Sequence, residues 1–118
     1  MTFAEFKTSH PAQAMFRKIG LTEYLDAASS WRSLRMHVVA FNDLDAGNFV
    51  KLVKRCDGVC SSGERILLHA ICYACDFAWL ADQLQTGKRV ERGVWQNMDR
   101  ASGDFGRAVA ACIEGVAL

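Results

Sequence analysis

The chain has 118 residues, 51% hydrophobic and 23% charged, which is enough apolar material for a real core and too much for a disordered chain. Fourteen basic and thirteen acidic residues leave a formal net charge of +1, so no overall field draws it toward nucleic acid or an anionic membrane. The five cysteines are an odd number, and the opening MTFAEFKTSH carries Glu5 and Lys7 with no apolar leader, so free thiols in a reducing cytoplasm are expected.

A single proline and the lack of any alternating apolar–polar run predict an all-α chain forming one domain over residues 1–118. Thr2 and Glu5 stand at capping-box spacing. Pro11 suits the first turn of a helix that follows Ser9 or His10, shows Ala12, Met15, Phe16 and Ile19 on one face, and stops at Gly20. Thr22 is the next cap. Leu25, Ala28, Trp31, Leu34, Val38 and Phe41 then keep a helical period, which favours one helix from Glu23 to Phe41, with Ser29–Ser30 as the place for a kink or restart. After a turn at Asn42–Asp45, Asp45 is expected to start a helix with the face Phe49, Leu52, Val53 and Cys56, ended by Asp57–Gly58.

Residues 61–87 dominate the pattern. Ser61 and Glu64 form a second capping box, Gly87 closes the stretch, and apolar residues lie on nearly every side between them. His69, Asp76 and Asp82 interrupt the run, so a core helix is expected rather than a membrane span. Past a loop at Thr86–Arg89, the residues Val94, Met98, Ala101, Phe105, Val109, Cys112 and Val116 are again periodic. A continuous helix is favoured there over a break near Ser102–Gly103, with Gly106 and Ala110 giving a small face for close approach to the central helix. The expected fold is thus a compact all-α bundle of about five helices around a central apolar helix at about 62–85.

Several residue groups could carry chemistry. Cys56 and Cys60 form a C-x3-C pair, and His69, Cys72 and Cys75 are spaced by three, which raises a zinc site. Because Cys72 and Cys75 fall inside an apolar helical run, buried thiols packing as hydrophobes are the favoured reading, with no metal and no cofactor. Arg65, His69, Tyr73 and Asp76 share a helical face as a polar stripe. His69 and Asp76 are too far apart along the helix to pair directly, so a solvent edge or a buried network is favoured over an active site. Cys60, just before a helix N-terminus, could have a lowered pKa, although a loop cysteine without that role is favoured. The chain lacks G-x-S-x-G, P-loop, G-x-G-x-x-G and H-E-x-x-H motifs, which argues against an enzyme.

Binding candidates are more numerous. Lys51, Lys54 and Arg55 share one helix, Lys88, Arg89 and Arg92 crowd one loop, and Arg32 and Arg35 share a face. Solvated helix faces are the default for all of them, and a phosphate or acidic-protein patch is the sharper option. Trp31, Trp79 and Trp95 are three tryptophans in a short chain, each expected in the core unless it serves an interface.

The capped SSGERILL opening, the DFAWLAD segment and the cysteine- and tryptophan-rich helices loosely resemble small accessory proteins carried on bacterial phages and plasmids. That resemblance covers about half the chain and defines no family; it implies an inhibitor of a host defence complex. The leading expectation is a helical protein-interaction module acting by surface binding, with a protein partner or a second copy of itself. The first alternative is a nucleic-acid-binding regulatory module built on the Lys51–Arg55 and Lys88–Arg92 groups. A small enzyme or metal protein centred on His69, Asp76 and the cysteines is the second.

Overall fold

Local caps set the helix boundaries from the N-terminus onward. The structure is a computed structural model that describes residues 1–86 and 103–118. Helix α1 (Phe3–Thr8) starts on the Thr2–Glu5 capping box, and α2 (His10–Ile19) starts on Ser9, whose hydroxyl accepts from the Ala12 N–H. Gly20 ends α2 in the left-handed region at φ +82°, which a glycine adopts without steric cost.

The expected Glu23–Phe41 helix is two helices, α3 (Thr22–Ala27) and α4 (Trp31–Leu44). Ala28 takes an extended conformation, its carbonyl accepts from Lys7 Nζ at 2.8 Å, and the Ser30 hydroxyl caps α4 through the Ser33 N–H. Helical periodicity survives this break because Leu25, Ala28, Trp31, Leu34 and Val38 all still reach the core. Helix α5 (Asn48–Asp57) begins three residues later than the expected start at Asp45, after a turn in which Ala46 and Gly47 both have positive φ.

The central helix is also shorter than expected. Helix α6 (Ser62–Ala74) starts on the Ser61–Glu64 capping box but stops at Cys75. Asp76 sits at φ +68°, and the Phe77 N–H reaches back to the Cys72 carbonyl at 2.8 Å, which closes the end in the Schellman manner. Helix α7 (Ala78–Thr86) then runs separately. The last described helix, α8, is Gly103–Gly115. Gly103, its first residue, has φ +59°; Val94, Met98 and Ala101 of the expected continuous segment lie outside the described residues. The described residues therefore hold eight helices and no strand, an all-α globule in which about five was an undercount. None of the helices among the described residues is long and apolar enough to cross a membrane.

At the centre, α6 buries Ile66, Leu67, Leu68, His69, Ala70, Ile71, Cys72 and Ala74, and its most extensive neighbour is α8. Full burial of a leucine such as Leu67 or Leu68 contributes about 1.5–3 kcal/mol. Helix α8 turns a stripe of small residues inward, Ala108, Ala111, Cys112 and Gly115, spaced i, i+3, i+4, i+7. Close approach was expected at Gly106 and Ala110; Ala110 is exposed, and among the described residues Gly115 makes a tight contact. A Cβ on Gly115 would lie 2.6 Å from the Trp31 ring, which Phe6 backs at a centroid distance of 4.7 Å. Gly115→Ala is expected to cost about 1–3 kcal/mol by overpacking. An unchanged urea midpoint for that variant would mean the ring has room to move.

Arg35 fastens the far end of the bundle. Its Nε donates to the Ala74 carbonyl at 3.0 Å and its Nη2 to the Gly115 carbonyl at 3.0 Å, so one cation serves the C-terminal ends of α6 and α8.

Candidate functional site

The polar stripe of α6 does not act as one group. Its four residues divide among three neighbours. Asp76, beyond the helix end, is exposed and lies 3.6 Å from Arg35 Nε. The Tyr73 hydroxyl donates to Asp82 of α7. Arg65 and His69 instead converge on Asp57, at the C-terminal end of α5.

Asp57 and His69 are each 1% exposed, and His69 Nε2 lies 2.8 Å from Asp57 Oδ1. Arg65 Nε is 3.4 Å from the same oxygen, and its Nη2 donates to the Asp57 backbone carbonyl at 3.2 Å. The arrangement follows from helix electrostatics. A carboxylate at a helix C-terminus faces the negative end of the macrodipole, and a guanidinium there offsets both charges. The cluster ties the end of α5 to α6, and His69 Nδ1 is buried with no hydrogen-bond partner among the described residues.

Around this cluster, Lys18 reaches Glu64 at 2.9 Å, and Glu64 also accepts from the Ser61 N–H. The Ser61 backbone bond and then Lys18 hold the Glu64 carboxyl below the usual range. The cysteines fall into two groups. Cys72, Cys75 and Cys112 are fully buried, and desolvation pushes their thiols up, Cys75 to about 12. Cys60 was a candidate for a lowered pKa at the α6 N-terminus, but burial and the hydrogen bond with Cys56 push it up to about 12. Among the described residues, no three His, Cys, Asp or Glu side chains are grouped to hold a metal ion.

A second site lies on the surface. A cleft of about 550 Å³ is lined by Asn42 and Asp43 at the end of α4, the Ala46–Gly47 turn, Val50, Lys51 and Lys54 on α5, and Trp79 on α7. The two lysines are three apart and share a helix face. Arg55, also exposed, flanks that row outside the cleft. Trp79 is 54% exposed, although its apolar surroundings in sequence favoured the core. The break at Asp76 changes the phase between α6 and α7, so Phe77 packs on Phe49 at 4.7 Å while Trp79 turns outward. Trp31, by contrast, is core.

The structure thus places Lys51 and Lys54 together and adds Trp79. Lys88, Arg89, Arg92 and Trp95 lie outside the described residues. Arg35, sequestered by carbonyls, joins no surface patch with Arg32. Sequence reasoning missed Asp57 as a partner of His69; the available signal was an acidic residue at an adverse helix end. No family model, curated protein or solved structure matches this chain.

Proposed function

We propose that the chain is a protein-interaction module acting by surface binding, and that the Trp79 cleft docks an acidic protein segment carrying an apolar side chain. One observation carries the reading: an indole more than half exposed stands at a cleft whose α5 wall presents Lys51 and Lys54. Leaving so large an apolar ring in water is unfavourable, and tryptophan anchors are enriched among residues that dominate binding energy. On α4 the exposed Met36 and Ala40, at i and i+4, extend apolar surface toward Asp43 at the cleft. Asp43 also lines the cleft, so the acidic groups of the segment pair with Lys51 and Lys54 and lie away from that carboxylate.

The narrower form, a mobile-element protein that inhibits a host defence complex, rests on the resemblance to phage and plasmid accessory proteins. It would act by occupying a surface of that complex, and a recovered partner that is no subunit of one would end it.

The test is recovery of a stoichiometric partner from the source cell by the wild-type chain and by Trp79→Ala. The variant, checked for unchanged circular dichroism, is expected to bind at least about tenfold more weakly, equivalent to about 1.4 kcal/mol. Undiminished capture by Trp79→Ala would overturn the cleft assignment. Recovery of nucleic acid, with affinity falling steeply in salt, would replace the protein partner with the regulatory reading.

A further inference from the structure

Cys56 lies in the last turn of α5, and Cys60 lies just past it, ahead of the Ser61 cap of α6. Their sulfur atoms are 3.1 Å apart. The Val59 and Cys60 N–H groups both donate to the Cys56 carbonyl at 3.0 Å, so the chain between them keeps helical spacing. Four residues of helical rise put the two Cα atoms about 6 Å apart. That falls in the range a disulfide spans, about 4.4–6.8 Å; closing the bond brings the sulfurs together by about 1 Å and draws the Cβ atoms from the helical spacing of about 5–6 Å to about 3.5–4.5 Å, a local adjustment of the Gly58–Cys60 turn that ends α5. We propose that Cys56 and Cys60 form a reversible oxidation site that closes to an intramolecular disulfide by exchange with a low-molecular-weight disulfide.

Cys60, the more exposed of the two, loses its proton and attacks one sulfur of the small disulfide, forming a mixed disulfide and expelling one small thiolate. Cys56 then loses its proton and attacks Cys60 Sγ, forming the protein S–S bond and releasing the second small thiolate. The two protons from the protein thiols end on the two released thiols. The protein dithiol gives up two electrons and the small disulfide takes them. Proximity drives the closure: two sulfurs already in contact have a high effective concentration. The Cys60 thiol, pushed up to about 12, makes the exchange slow at neutral pH and faster in mild alkali. The other three cysteines are fully buried and stay outside the exchange.

The proposal stands independently of the Trp79 cleft. Its test incubates the reduced full chain with oxidised glutathione at about pH 8.5, then unfolds it in acid, alkylates the free thiols and measures intact mass. The expected product has lost two hydrogens and takes three alkyl groups in place of five, with a cross-linked 56–60 peptide. Dithiothreitol restores all five. Cys60→Ser, a change at a half-buried loop position, should show no loss of two hydrogens while its circular dichroism matches wild type. Five alkyl groups on the treated wild type, a persistent glutathione adduct, a cross-link to another cysteine, or failure of dithiothreitol to restore five thiols would each overturn the proposal.

Discussion

Asp57→Ala is expected to destabilise the fold by about 3 kcal/mol, read as a lower urea midpoint at unchanged slope. The substitution removes little apolar area, so the cost arises from what it strands. His69 loses the 2.8 Å contact at Nε2, and its ring is 1% exposed with no route to water. Arg65 loses its counter-charge at 3.4 Å. Removing Asp57 and His69 together should cost less than the two single changes added, because residues in one buried network couple. Additive losses would mean that the 2.8 Å contact contributes nothing and that each side chain acts through its own packing.

Alkali provides the second large effect. Cys72, Cys75 and Cys112 are fully buried, and desolvation raises all three thiols above the ordinary value of 9.0. In the unfolded chain they ionise near 9.0, while in the folded chain they keep their protons to about 12 at Cys75. Between those values the unfolded state binds fewer protons than the folded state, so stability falls as pH rises. The contribution is complete below pH 9 and is lost upward through that window, at about 1.4 kcal/mol per pH unit for each thiol. Denaturant midpoints under reducing conditions should therefore drop as pH rises above about 9, and Cys112→Ala should flatten the slope by one thiol's share. The same slope in wild type and Cys112→Ala would mean that this thiol titrates normally and is not desolvated.

These effects show which parts of the fold are legible in the sequence. Caps are local, so Thr2–Glu5, Ser61–Glu64, Ser9 with Pro11, and Gly20 are visible as spacing and hold in the structure. The end of α6 is not visible in the same way. Apolar residues continue on both sides of it, and the left-handed position is filled by Asp76 where a glycine would have marked it. Missing that stop has a further consequence: counted along one unbroken helix, Trp79 falls in the core, and only the break brings it to the surface. At Ser29–Ser30 the sequence does mark the restart, but the apolar face keeps its phase across the gap, which favours a single helix over the two that form.

The site was legible only in fragments. Lys51 and Lys54 were visible as a pair, but Trp79 joins them through the packing of α5 against α7, which no spacing encodes. His69 was visible as a polar residue in an apolar run. Its partner Asp57 lies on the preceding helix and reads locally as a helix stop. The C-x3-C pair was visible too, as metal-ligand spacing; continuation of the helical turn through Cys60 makes it a dithiol in contact.

On the proposal above, function lies on the surface at the Trp79 cleft and the buried His69 cluster serves the fold. Parallel partner capture by three folded chains tests it most directly: wild type, Trp79→Ala combined with Lys51→Glu and Lys54→Glu, and His69→Gln, each checked by circular dichroism. Capture is expected by wild type and His69→Gln, with loss in the cleft variant. Capture by the cleft variant, or loss with a folded His69→Gln chain, would contradict it.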